Sequence, residues 1–171
     1  KATVLNQGSR AAAKSAISYH YDIGNDLYEA MLDERMVYTC AYWAHATTLA
    51  EAQRHKMELI CRKLQLTSGM RVLDIGCGFG SFAKYASERY GVQVTGVTIS
   101  KEQAQYARRL CDGLPVEIRL QDYRDISGSY DRVMSVGMFE HVTYKNHRAY
   151  FEAVDRVLAP DGLTLLHCMG R

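Results

Sequence analysis

A chain of 171 residues that is 47% hydrophobic and 23% charged has the composition of one globular domain with a real core, which excludes disorder and collagen-like structure. Its formal net charge of +2, with acids and bases interspersed, leaves no footprint for nucleic acid and would not oppose a visit to an anionic membrane surface. Five widely spaced cysteines without a C-x-x-C pair (Cys40, Cys61, Cys77, Cys111, Cys168) suggest neither a disulfide framework nor a zinc site, and no metal is assigned.

No apolar run reaches the length of a membrane span and no signal-peptide pattern opens the chain, so the default location is cytoplasmic; Lys1 as first residue points to a trimmed start. Residues up to about Lys14 are small and polar. Tyr19-His-Tyr-Asp-Ile-Gly-Asn-Asp-Leu-Tyr28 is dense in aromatics and acids, and Asn25 is placed to cap a short helix through Leu32. Such an appendage, residues 1–47, could fold over the domain as a lid or simply pack against it, and the sequence leaves both open. The core is expected to be residues 48–171. Thr48-Leu-Ala-Glu51 reads as a capping box, and Ala52, Met57, Ile60 and Leu64 keep helical spacing until Gly69. A strand is predicted over Val72–Ile75, a helix over Ser81–Tyr90 ending at Gly91, and a strand over Val92–Val97. Ser100-Lys-Glu-Gln103 reads as a second capping box, with a helix stopping near Gly113. Strands follow over Val116–Leu120, Tyr130–Val136 and Leu163–Cys168, the last after a helix from about Lys145 to Leu158 that Pro160 and Gly162 close. This alternation predicts an α/β, doubly wound, mostly parallel sheet.

Val72-Leu-Asp-Ile-Gly-Cys-Gly-Phe-Gly80 carries the chemistry. A strand running into alternating glycines and then a helix marks the nucleotide-binding end of the first strand of such a sheet. A dinucleotide fingerprint would need G-x-G-x-x-G, but Ser81 stands where its third glycine should be. Asp74 would repel a pyrophosphate and suits a cationic amino-acid ligand. The loop is similar to the G-x-G-x-G loop of the S-adenosylmethionine-dependent methyltransferases.

Three further stretches, Tyr19 to Tyr28, Tyr38-Thr-Cys-Ala-Tyr-Trp43 and Val136-Gly-Met-Phe-Glu-His-Val142, combine with the glycine loop and Leu166-His-Cys168. Together they closely resemble the cyclopropane-fatty-acyl-phospholipid synthases and the related mycolic acid cyclopropane synthases, from about Ile17 to the end. The resemblance implies a Rossmann-like methyltransferase fold. It also implies transfer of the methyl group of S-adenosylmethionine to the cis double bond of an unsaturated phospholipid acyl chain, closing a cyclopropane ring, by an enzyme that visits the inner face of the membrane peripherally. The family's fold adds two strands, a site tyrosine and much of the lipid wall after the point matching Arg171. The chain is therefore expected to be cut short, and as it stands to bind cofactor while turning over little lipid. A homodimer is left open.

An alkene is a poor nucleophile, so attack on a sulfonium methyl needs alignment, a dry cavity, and removal of a proton afterwards. In the resembled family a bound bicarbonate ion takes that proton, and the matching positions are Cys40, Glu140 and His167. Glu140 follows the fourth strand and His167 ends the fifth, on neighbours only about 5 Å apart. Glu140 would accept the bicarbonate hydroxyl proton in a hydrogen bond while His167 donates or orients. Cys40 is expected to offer its backbone N–H, because no base lies beside its thiol in sequence. His141 is read as capping the next helix or supporting Glu140, and His20, His45, His55 and His147 as surface or structural. For the cofactor, Asp74, Gly76 and Gly78 are expected at the methionine part. Tyr38 and Thr39 would close over its carboxylate end. The second strand ends without the usual ribose-binding acid, and the resemblance assigns Thr98, Ser100 and Gln103 instead, although Ser100 and Gln103 could only cap the helix. Gln121, Asp122 and Tyr123 are expected at the adenine. Two rivals stay open: a methyltransferase acting on a soluble small molecule, and a nucleotide-binding module without catalysis.

Overall fold

The computed structural model describes residues 25–170. The part of the aromatic motif before residue 25, with His20 and the small polar start, lies outside the described residues. Helix α1 (Asn25–Met31) and a largely irregular stretch precede α2 (Leu49–Lys63), after which strands and helices alternate. These are β1 (Arg71–Ile75), α3 (Ser81–Tyr90), β2 (Gln93–Thr98), α4 (Lys101–Leu110), β3 (Val116–Leu120), β4 (Tyr130–Val136), α5 (His147–Val157) and β5 (Leu158–His167). The five strands form one parallel sheet in the order β3-β2-β1-β4-β5. Parallel strands need crossovers, and the helices supplying them cover both faces, so β1 is buried on both sides. Val72 packs with Met57, Ile60 and Phe82 under α2 and α3, whereas its neighbour Leu73 packs with Tyr150, Val154 and Val157 under α5.

Local signals explain most boundaries. At α2 the Thr48 hydroxyl accepts the Glu51 N–H at 3.3 Å while Glu51 Oε2 accepts the Thr48 N–H at 3.3 Å, so both halves of the box form. Such a cap contributes about 1 kcal/mol. At α4 only half forms. Ser100 Oγ accepts the Gln103 N–H, but the Gln103 side chain turns away to Thr98. Asn25 is already helical and so does not stand ahead of α1 as its cap.

The last crossover departs from expectation. Two 3-10 turns, Phe139–His141 and Tyr144–Asn146, precede α5, which starts at His147 rather than near Lys145. The fifth strand begins directly after α5, at Leu158 instead of Leu163. Leu158 pairs with Tyr130 and Leu163 with Arg132, so residues 159–162 bulge out opposite Asp131. Pro160 cannot donate to the ladder, so the strand keeps its start and loops around the gap instead of losing it.

Residues 33–40 run over the glycine loop. Tyr28, Met36 and Phe79 form a buried cluster, with the Tyr28 ring 5.3 Å from that of Tyr38 and 5.6 Å from that of Phe79. Asp33 Oδ1 accepts the Val37 N–H at 3.1 Å, and Met36 holds a left-handed φ of 55° between them.

Candidate active site

The strand order reverses between β1 and β4, and their outgoing loops diverge there to leave a crevice at the carboxyl edge. Asp74 sits in β1 just below it, 2% exposed, and burial pushes its carboxyl up to about 7. The Gly76 and Cys77 N–H groups both donate to the Val97 carbonyl, at 2.9 and 3.0 Å, which curls the loop over the end of β2. Gly78, at φ 54°, has open space where a Cβ would stand, so bare backbone faces the crevice. The result is a cavity of about 130 Å³ whose wall includes Asp74, Gly76, Gly78, Tyr38, Thr39 and Gln103.

Beside it lies a smaller cavity of about 90 Å³, lined by Thr98, Gln121, Asp122, Tyr123, Gly76 and Met138 among others. Thr98 Oγ1 donates to Gln103 Oε1 at 2.9 Å and accepts the Ser100 N–H at 3.2 Å. Thr98 and Gln103 therefore reach cavity walls, whereas Ser100 is 4% exposed, lines none of the three cavities and serves as the α4 cap. Asp122 holds the Arg124 guanidinium with contacts of 2.6 and 2.8 Å, and Gln121 Nε2 donates to the Asp125 carbonyl at 2.8 Å. The Tyr123 ring packs at a tilt of 59° against that of Tyr150, 5.5 Å between centroids.

A third cavity, about 520 Å³, brings Cys40, Glu140 and His167 together. Cys40 Sγ lies 3.6 Å from His167 Nε2. Val136 pairs with His167, and the Gly137 N–H donates to the His167 carbonyl at 3.0 Å, which fixes that edge. Glu140 Oε1 accepts the Met169 N–H at 2.9 Å. Glu140 Oε2 and His167 Nδ1 are buried with no hydrogen-bond partner among the described residues. Orphaned polar atoms of this kind cost free energy unless a ligand or water completes them. The remaining wall is largely apolar, with Leu32, Val37, Ala41, Trp43 and Leu49.

Gln53 and Lys56 were not singled out from the sequence, and His141, read as capping the next helix, instead ends a 3-10 turn, with α5 starting only at His147. His141 lines all three cavities and is their common corner. Gln53 and Lys56 hold the segment that separates the first cavity from the third. Gln53 Nε2 donates to the Thr39 carbonyl at 2.9 Å, and Lys56 Nζ donates to Thr39 Oγ1. Burial draws the Lys56 ammonium down to about 8, against the pull of Cys40 and Asp33. A signal was present: Gln53 and Lys56 interrupt the apolar stripe of α2 beside Ala52 and Met57, and a buried polar pair on such a stripe has work other than packing. Gly137 completes the clamp. It adopts φ 68°, and a Cβ there would stand 2.3 Å from Thr39 Cγ2. His147 is structural, with Nε2 3.0 Å from the Val142 carbonyl and its ring on Phe139.

A parallel sheet with this strand order, an acid ahead of alternating glycines and crevices at the switch point defines a Rossmann-like domain of the methyltransferase class. The chain belongs to the mycolic acid cyclopropane synthetase family, whose model matches residues 8–171. It is 53% identical over 169 residues to the cyclopropane-fatty-acyl-phospholipid synthase of Escherichia coli (strain K12), covering 99% of this chain and 44% of that protein. The cyclopropane synthase MmaA2 from Mycobacterium tuberculosis superposes with a TM-score of 0.87 at 35% identity, over 91% of this chain and 56% of that one. The mycolic acid cyclopropane synthase CmaA1, solved with SAH and CTAB, gives 0.86 at 35%, over 90% and 55%. The chain thus spans about half the length of the relatives it matches.

Proposed function

We propose that this chain is the cofactor-binding part of an enzyme that transfers the methyl group of S-adenosylmethionine to the cis double bond of an unsaturated phospholipid acyl chain, forming a cyclopropane ring. The observation that carries the reading is the third cavity, in which Cys40, Glu140 and His167 converge beside the glycine-loop crevice and two buried polar atoms await a partner. Family membership and a solved relative holding SAH support the cofactor.

The residues present fit both small molecules that such a reaction needs. Asp74 suits an ammonium group, the open backbone at Gly78 admits close approach, and Glu140 Oε2 with His167 Nδ1 offers hydrogen bonds to a small trigonal anion. When bound, S-adenosylmethionine supplies an electrophilic methyl group and bicarbonate accepts the proton lost on ring closure. Asp74, Gly76 and Gly78 hold the methionine part, and Tyr38 and Thr39 close over it. Thr98 and Gln103 serve the ribose side, while Gln121, Asp122 and Tyr123 line the adenine side. Glu140 accepts a hydrogen bond from the anion's hydroxyl through Oε2, His167 orients the anion, and the Cys40 backbone N–H donates to it. Leu32 and Val37 give the reacting centre an apolar wall, with Trp43 and Leu49 at its exposed rim. A volume near 520 Å³ has room for a bent acyl segment.

Residues 25–47 act as the wall that closes the crevice, and their exposed rings serve a transient membrane contact. Tyr42 and Trp43 are half exposed, as suits an interfacial belt. No helix among the described residues is long and apolar enough to cross a membrane. The test is incubation of the protein purified from its native source with methyl-labelled S-adenosylmethionine and vesicles of cis-unsaturated phospholipid. Ring-containing acyl chains are expected. Labelling of soluble acceptors without lipid would overturn the lipid reading, and failure to bind S-adenosylhomocysteine by calorimetry would overturn the cofactor as well.

A further inference from the structure

The cavity beside the glycine loop contains two formally charged side chains, Asp74 and Lys56, and both are buried, at 2% and 6% exposure. Neither has an ion-pair partner within 4 Å among the described residues. Asp33 attracts Lys56 over a distance: its Oδ1 accepts the Val37 N–H at 3.1 Å, while its buried Oδ2, 3.9 Å from Arg35, has no hydrogen-bond partner among the described residues. A buried cation with no anion in contact is only partly compensated by a more distant acid, so the cavity wall suits a ligand that brings a negative charge to it. An acid and a base on one small cavity wall match an α-amino acid zwitterion, the ammonium going to Asp74 and the carboxylate to the lysine.

We propose that Lys56, with the Thr39 hydroxyl it holds, receives the carboxylate of the amino-acid end of the bound cofactor. This rests on the cofactor reading above and adds to it a residue from α2, a helix that precedes the sheet. Lys56 lines the cavity with Met57 and Ile60 of the same helix and its head reaches Thr39, so the cation is delivered from behind the segment that covers the crevice. Burial lowers its basicity to about 8, which still leaves it mostly protonated at neutral pH.

The experiment compares S-adenosylhomocysteine with its carboxylate-free analogue, 5′-deoxy-5′-(3-aminopropyl)thioadenosine, by calorimetry on the native protein and on Lys56→Met. The native protein should favour S-adenosylhomocysteine by at least about tenfold, a preference that Lys56→Met reduces to within about twofold while the analogue binds as before. The melting temperature of the variant should stay level or rise, since methionine fills the site without a lone charge. A preference unchanged by Lys56→Met, or an equal loss for both ligands, overturns the proposal and leaves the cofactor reading standing; no binding of either ligand to the native protein overturns both. Carbon-13 NMR of the native lysines gives a readout without substitution. The Lys56 ammonium should titrate at least about one pH unit higher with S-adenosylhomocysteine bound than with the analogue bound, and identical titration would overturn the assignment.

Discussion

His167 Nε2 lies 3.6 Å from Cys40 Sγ across 127 residues of sequence, the last residue of β5 against the segment that covers the sheet edge. The contact places the thiol beside a base, which the sequence alone did not show. Under the proposed chemistry the thiol still forms no covalent bond, because the acceptor is an alkene and the donor a sulfonium. Cys40→Ala should therefore keep the turnover of the complete enzyme within about tenfold of native, with no loss of S-adenosylhomocysteine affinity. A covalent role would show as complete loss in a single-turnover assay.

Glu140→Gln keeps an oxygen for the Met169 N–H but replaces half of the carboxylate by an amide. If Glu140 accepts a hydrogen bond from a small anion's hydroxyl, kcat should fall by about a hundredfold or more. Affinity for S-adenosylhomocysteine, measured by calorimetry, should change less than about twofold, because Glu140 lines the third cavity and not the first.

Gly137→Ala meets two penalties: a φ of 68°, costing about 1–2 kcal/mol for a residue with a Cβ, and the methyl of Thr39 at 2.3 Å from the new atom. Urea denaturation should show a loss of about 2–4 kcal/mol. Thr39→Ser removes that methyl, so the double variant should recover part of the loss, leaving the backbone share.

Asp74 has a folded-state pKa near 7 against an ordinary 3.8, raised by burial. A raised value means the folded state binds protons more tightly. Its contribution to stability is then fully present below about pH 3.8 and is lost as pH rises through about 7. The stability difference between native protein and Asp74→Asn should accordingly move in favour of asparagine between pH 5 and 8, read from urea denaturation midpoints. A cationic ligand reverses the burden by favouring the carboxylate. Binding of S-adenosylhomocysteine near pH 6.5 should release a proton from Asp74, detectable by calorimetry in buffers of different ionisation enthalpy.

Thr48→Ala tests the frame apart from the site. Losing the hydroxyl half of the α2 box should cost about 1 kcal/mol. Cofactor affinity should be unchanged in the same preparation.

Periodicity and turn chemistry made the sheet legible because the central strand reads as a short apolar run ending in glycines, whereas the edge strand β3 alternates apolar and charged residues. Val72–Ile75, Val116–Leu120 and Tyr130–Val136 therefore fall within about one residue of their observed ends. Pro160 and Gly162 read as a helix stop, and the strand that starts before them was invisible because its bulge depends on pairing with β4. At the site, motif positions placed Asp74 and His167 near strand ends and Glu140 just after β4, which topology carries to one edge. Gln53 and Lys56 were legible only as polar breaks in the apolar stripe of α2, and His141 only as a neighbour of Glu140. Their places depend on how α2 and a 3-10 turn pack around a chain segment that has no periodic signal of its own.

The grip of Gln53 and Lys56 on Thr39, closed from the other side by Gly137, means that a single helix governs the partition between two compartments. A slip of α2 by one turn would withdraw both holds on Thr39 at once, so the wall shared by the first and third cavities depends on the register of that helix. Substitutions along α2 could thus reshape the third cavity through Leu49 and Gln53, provided Lys56, which lines the first, is kept.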